Sequence, residues 1–232
     1  MNKISIWLWW FYYFNFTLLE KLNFIKQFKN FNWVEIHVNH WYVFSTEELK
    51  QLKKYKYNTI HLLWYNKNKD KKWLEYCTKT IPNFRHFVLH PDIIQISDIN
   101  KDIEKYISFE NMDIRKKTYR TAKEMNELFK KLPNSKFTLD INHLEENNIN
   151  IKDFNITKRP SQIHFSIVNK NFYKDYSYIN TPHALAILDK KWFHFELKKY
   201  NDCIITTEWV YIKEKPELIQ KEIDLINNLL QK

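Results

Sequence analysis

Glutamate, aspartate and histidine recur at the ends of hydrophobic, β-like runs along most of this chain. Those residue types, in that position, can hold metals or carry protons. Glu35 and His37 close Trp33-Val-Glu-Ile-His-Val38, His61 closes Thr59-Ile-His-Leu-Leu63, and His90 closes Phe87-Val-Leu-His-Pro91. Glu110 closes Ile107-Ser-Phe-Glu-Asn111, and Asp140 and His143 close Phe137-Thr-Leu-Asp-Ile-Asn-His143. His164 sits in Gln162-Ile-His-Phe-Ser166, and Glu208 closes Cys203-Ile-Ile-Thr-Thr-Glu208. Glu110, Asp140, His164 and Glu208 make an oxygen-rich set of mixed hardness. It suits Mn²⁺, Mg²⁺, Co²⁺ or Zn²⁺ better than a thiolate-seeking ion. A lone strand-end carboxylate more often serves a salt bridge. Several buried together are costly unless a cation neutralises them.

Such a ladder needs strands that all end at one place. The spacing predicts strands over Lys3–Trp9, Trp33–Val38, Asn58–Leu63, Phe84–His90, Tyr106–Glu110, Phe137–Ile141, Gln162–Ile167 and Cys203–Glu208. Helices are expected between them. Ser45-Thr-Glu-Glu48 is a helix start with a capping box. Asp70–Thr80 is stopped by Pro82, Asp98–Lys105 is short, and Thr118–Leu132 has apolar residues at helical spacing before Pro133. His183–Tyr200 and Pro216–Leu230 complete the set, while an Asn-rich crossover to Ile156 follows the sixth strand. Alternating strands and helices argue for parallel βαβ units, and eight of them for a closed barrel. The expected fold is an α/β class (β/α)8 barrel, one domain over residues 1–232.

Composition narrows the setting. Lys and Arg number 37 against 27 Asp and Glu, a net charge of +10 that could suit a polyanion. Lys, Asn, Ile, Tyr and Phe are abundant, as codons of an AT-rich genome would make them, so the charge points to no ligand by itself. Lys67-Asn-Lys-Asp-Lys-Lys72 reads as a solvated helix start. Cys77 and Cys203 fall in no metal or redox spacing, which suits a reducing, cytoplasmic compartment. The apolar run Ile4 to Leu19 is interrupted by Asn15 and is shorter than the roughly 20 residues of a membrane span. It also lacks a small-residue cleavage site, so neither a membrane anchor nor a signal peptide is expected.

Glycine is absent and tryptophan occurs nine times. Turns and close backbone approaches ordinarily recruit glycine. Two readings stay open. Either this is a genuine glycine-free sequence, or UGA codons meaning Gly in the source stand as Trp, with Trp7, Trp33 and Trp209 at suggestive places. UGG codons at these positions would exclude the second.

Val34-Glu-Ile36, His90-Pro91, Phe109-Glu-Asn-Met112, Leu139-Asp-Ile-Asn-His143, Ile163-His-Phe165 and Thr206-Thr-Glu208 occur in an order that carries a resemblance. Over nearly its whole length the chain resembles the xylose-isomerase-like TIM barrels. That family includes sugar and sugar-phosphate isomerases and epimerases, and apurinic endonucleases of the endonuclease IV type. For the isomerase branch the resemblance implies that Glu110, Asp140, His164 and Glu208 bind one divalent metal. Glu110 and Glu208 would be the catalytic proton carriers on opposite faces of an enediolate. His143 would contact substrate, with His61, His90, Glu35, His183 and Lys170 as further substrate-side residues.

For the endonuclease branch the resemblance implies that His61, His90 and His183 add ligands to a multinuclear zinc site for phosphodiester hydrolysis. That branch has Asp two residues before the last of these, where this chain has Thr181. The Val-Glu-Ile motif is more similar to the isomerases. However, the Arg that isomerases often carry after the seventh strand is replaced by Ile167-Val-Asn-Lys170. The metal-dependent isomerase or epimerase is the first expectation, the repair endonuclease the second, and a non-catalytic barrel the third. The expected partner is a small sugar or sugar phosphate, with nucleic acid only under the second reading, no membrane, and self-assembly left open. His37, His40, His86 and His194 are expected to have no role.

Overall fold

The computed structural model describes residues 3–8, 16–38, 41–62, 67–168, 183–186, 197–208 and 216–231. Its strands are β1 (Ile4–Trp7), β2 (Trp33–His37), β3 (Tyr57–Leu62), β4 (Phe84–Leu89), β5 (Ile107–Glu110), β6 (Lys136–Asp140), β7 (Gln162–Phe165), β8 (Ile167–Val168), β9 (His183–Ala184) and β10 (Ile204–Thr207). Helices are α1 (Leu18–Ile25), α2 (Thr46–Leu52), α3 (Lys67–Thr80), α4 (Lys101–Glu104), α5 (Ala122–Lys131), α6 (Ile141–Glu146) and α7 (Pro216–Gln231). Eight strands close into a parallel barrel in the order β1-β10-β7-β6-β5-β4-β3-β2. The seam joins the two ends of the chain, with Ile4 opposite Ile205 and Ile6 opposite Thr207. No helix among the described residues is long and apolar enough to cross a membrane.

Strand alternation divides the side chains into two sets. Ile60, Phe87, Phe109, Phe137, Ile163 and Ile205 are fully buried members of the apolar core, and Met125 and Leu128 of α5 and Ile219 and Ile223 of α7 belong to the same core. Residues of the other parity meet inside the barrel and are largely polar, with Val88 an exception. His86 of β4 bonds Gln162 of β7 at 2.8 Å. Ser108 and Thr138 bond at 2.6 Å, and Gln162 donates to Thr206 at 2.9 Å and to Glu35. A spine of hydrogen-bonded polar side chains thus crosses the barrel beneath its C-terminal mouth.

Helix starts follow their capping residues. Thr17, Ser45 and Thr121 each form a complete capping box, with Glu20, Glu48 and Glu124 answering three residues on. The box at Thr121 explains why α5 starts later than the periodicity from Thr118 suggests, for Tyr119 sits at φ 63° outside the helix. Likewise the helix expected from Asp98 is a 3-10 turn over Ile96–Asp98, and α4 follows with Asn100 as its cap.

Two further expectations are corrected. The crossover after β6 opens with a helix, α6, because Asp140 is at once the strand end and the N-cap, accepting from the His143 amide at 2.9 Å. The helix expected over His183–Tyr200 does not begin at His183. His183 and Ala184 pair antiparallel with Val168 and Ile167, and Leu197–Tyr200 is a 3-10 turn. That pairing also ends the seventh strand early, at Phe165, where Ser166 turns the chain out of the barrel.

Five described non-glycine residues take positive φ: Asn30, Trp41, Asn83, Tyr119 and Asn148. Asn is the residue that best tolerates this region after glycine, and it fills three of the five. Trp41, at φ 71°, is a bulky residue in a glycine-like conformation. Trp7 and Trp33 are buried in ordinary strand geometry, and Trp209 lies outside the described residues.

Burial holds the fully enclosed His86 down to about 3, with Lys136 adding to the effect. A buried neutral histidine stabilises the fold fully above its unfolded pKa of about 6.5. That contribution drains away as pH falls from there toward 3, at about 1.4 kcal/mol per unit. Thermal melts of wild type and His86→Gln between pH 7 and 4.5 check this. The wild type should lose stability more steeply, and parallel curves would show that His86 does not carry the slope.

Candidate metal centre

Six of the eight barrel strands deliver an acid or a histidine to the mouth. Glu110 and Asp140 are the last residues of β5 and β6, and Glu208 directly follows β10. His164 is placed between them by register, opposite Asp140 on one side and Thr206 on the other. One ligand atom from each of Glu110, Asp140, His164 and Glu208 lies within 4.8 Å of the others, all buried. His164 Nδ1 is 3.5 Å from Glu110 Oε2, 4.0 Å from Asp140 Oδ2 and 3.4 Å from Glu208 Oε2. The four residues expected to share an ion are therefore brought to one point.

A second group adjoins the first. His61 of β3 and His90, directly after β4, face each other through Nε2 atoms 3.1 Å apart. Both approach the same Glu110 oxygen, at 3.5 and 3.7 Å. His61, His90 and Glu110 form a three-residue metal-binding geometry, so Glu110 belongs to both groups. Beyond them, His183 lies with its Nδ1 3.7 Å from Glu208 and 2.8 Å from the Ser166 hydroxyl. His143 places Nδ1 3.3 Å from Glu110 and 2.8 Å from the Asn111 carbonyl, and its ring is 5.8 Å from that of His183. Trp7 packs beside His61 and His183, with ring centroids at 5.8 and 6.4 Å.

The donor set fits divalent cations on two grounds. Both oxygens of Glu110, Asp140 Oδ2, His164 Nδ1 and Glu208 Oε2 are buried and have no hydrogen-bonding partner. These are the atoms that converge. Leaving five such atoms dry and unmatched is costly without a ligand. Three carboxylates in one buried pocket also repel one another. Burial raises Glu208 well above its ordinary value, and Asp140 and Glu110 add to this against the pull of His164. Asp140 is pushed up by burial too, but His143, His183 and His164 outweigh that and hold it low. Burial would lower His143, yet Asp140, Glu110, Glu208 and Asp113 lift it to about 9. Burial lowers His183 to about 3 and holds His90 well below its usual value, leaving both neutral with lone pairs to offer.

Glu35 is fully buried, and its oxygens are occupied by side chains of β3 and β7. Lys170, Thr181, His40 and His194 lie outside the described residues. His37 is in β2 and is part of none of the groups that could hold a metal ion. Sequence reasoning missed Gln162 and Asn111. Gln162 sits two residues before His164 on the same strand face, and strand parity could have found it. Asn111 holds the Asp140 backbone from both sides, donating to its carbonyl at 2.9 Å and accepting from its amide at 2.8 Å. Compared with models of known protein families, and with curated proteins, the chain matches none.

Divalent metal should bind the folded state and raise its stability. Free Zn²⁺ at a hundred times its Kd adds about 2.7 kcal/mol, or roughly 5–10 °C in Tm for a chain of this size. Glu110→Gln should abolish that shift without lowering the metal-free Tm, since it neutralises one of the repelling carboxylates. Equal melting temperatures for wild type with and without Zn²⁺ would argue against a metal centre.

Proposed function

We propose that the chain is a single-domain (β/α)8 TIM barrel of the xylose-isomerase-like family. Within that family, we read it as a metal-dependent hydrolase of the endonuclease IV type that opens phosphodiesters at abasic sites. One observation carries this reading: Glu110 is shared by two adjoining ligand groups, one with His61 and His90, the other with Asp140, His164 and Glu208. A one-metal isomerase has use for the second group only. When bound, paired divalent cations supply Lewis-acid charge that stabilises both the attacking and the leaving oxygen of an in-line displacement. The chain's own part is to hold these groups. Glu110 spans both sites, Asn111 fixes the Asp140 backbone, and Ser166 fixes the His183 ring. Two free, buried thiols, Cys77 and Cys203, are in keeping with a reducing, cytoplasmic setting.

The isomerase or epimerase remains the second reading, for a specific reason. Thr181 stands where endonuclease-type relatives have Asp, while the four-residue group an isomerase needs is complete. In that case Glu110 and Glu208 would exchange a proton with a sugar carbon.

Elemental analysis and two assays separate the readings. The endonuclease reading expects at least two Zn²⁺ per chain and nicking of duplex DNA at an abasic site. His90→Asn should cut nicking by a hundredfold or more while the four-residue group retains one ion. A single ion per chain, no nicking, and incorporation of deuterium from D₂O into a ketose, aldose or sugar phosphate would replace it with the isomerase.

A further inference from the structure

Glu35 stands apart from the other acids of the mouth. It pairs in register with Thr59, two residues before His61, and so lies one layer deeper in the barrel. Its Oε1 is 3.2 Å from His61 Nδ1 and 3.2 Å from His164 Nε2. Its Oε2 accepts from the Thr59 hydroxyl at 3.3 Å and from the Gln162 amide. The opposite nitrogens of the two rings, His61 Nε2 and His164 Nδ1, are each 3.5 Å from Glu110 Oε2. One carboxylate therefore grips two imidazoles by their far nitrogens, while their near nitrogens converge on one oxygen.

An ionised carboxylate offers about four acceptor sites. His61, His164, Thr59 and Gln162 use them, so Glu35 has little left for a metal, although its position beside two histidines would allow it to be one of the ligands. A neutral imidazole carries a single N–H, and the hydrogen bond at one nitrogen decides which lone pair remains. Building on the metal-centre reading above, we propose that Glu35 is a positioning residue. It fixes the proton of His61 on Nδ1 and that of His164 on Nε2. This delivers His61 Nε2 to one cation site and His164 Nδ1 to its neighbour. Because one carboxylate sets a ligand of each group, it ties the two sites into one unit. Gln162 lies below it, its amide nitrogen donating to Glu35 and Thr206 and sitting 3.0 Å from His164 Nε2, with its carbonyl facing His86.

The test uses the full chain with ¹⁵N-labelled histidine, loaded with Zn²⁺ alone. Long-range proton–nitrogen spectra, assigned with His61→Gln and His164→Gln, report which ring nitrogen meets the metal. Zn²⁺ should shift His61 Nε2 and His164 Nδ1, with slowly exchanging N–H groups kept on the other two nitrogens. Glu35→Gln, whose amide oxygen can take up only part of the load, should weaken Zn²⁺ binding about tenfold, and Glu35→Leu about a hundredfold. Metal shifts at His61 Nδ1 or His164 Nε2 would make Glu35 a ligand and overturn the proposal. Wild-type Zn²⁺ affinity in both Glu35 variants would do the same. If Glu35→Leu does not fold, Glu35→Gln and the wild-type spectrum still decide. A wild-type chain that binds no Zn²⁺ sinks the metal-centre reading itself, a result distinct from either.

Discussion

Three carboxylates crowd into a mouth with almost no access to water, and most of this end of the molecule answers to their mutual repulsion. Glu110 is the extreme case, with both oxygens buried and unmatched by any hydrogen bond. A protein gains no stability from such an arrangement on its own. Isolated buried charge is among the most expensive features a fold can contain. The histidines around it moderate the cost. His143 and His164 are drawn toward their charged forms by the acids, while His90 and His183 stay neutral. Charge balance and lone-pair donation are thus both supplied by histidines of the same pocket.

What holds those groups in place is the polar interior of the barrel. Barrels of this kind commonly fill with branched apolar side chains. Here His86, Ser108, Thr138, Gln162 and Thr206 occupy the layer beneath the mouth. A network of this type is costly if one member lacks a partner, and rigid when all are matched. It reaches the histidines of the mouth through Glu35, which Gln162 bonds from below and which lies against both His61 and His164.

Much of this was legible in the sequence, because strand parity is a strong signal. Glu110, Asp140 and Glu208 each terminate an apolar run and His164 sits near the end of one, and a parallel barrel must bring such ends together. Capping boxes were equally readable at Ser45. Other features were hidden for physical reasons. Asp140 serves both a strand and a helix, so its helix, only six residues long, left no periodicity to detect. His183 is held by a two-residue pairing with Val168 and Ile167, shorter than any alternation pattern can reveal. The closeness of His61 to His90 depends on neighbouring strands being in step, and register is not written in either strand alone. Glu35 carried a motif but not a depth. Only the pairing with Thr59 puts it under the histidines.

The seam between β1 and β10 has a consequence in time. Ile4 lies opposite Ile205, so the last pairing of the barrel joins residues some two hundred positions apart. Contacts this distant form late, because the entropy of closing so long a loop is lost before any pairing repays it. Glu208 directly follows that final strand and is the last of the four acids and histidines to arrive. While the chain is being made, Glu110, Asp140 and His164 can already stand on paired strands, but the fourth side of their pocket is open to water. A dry, charge-dense mouth exists only once the ring has shut, and an unfinished molecule is spared the burial of its acids until the whole scaffold is there to bear it.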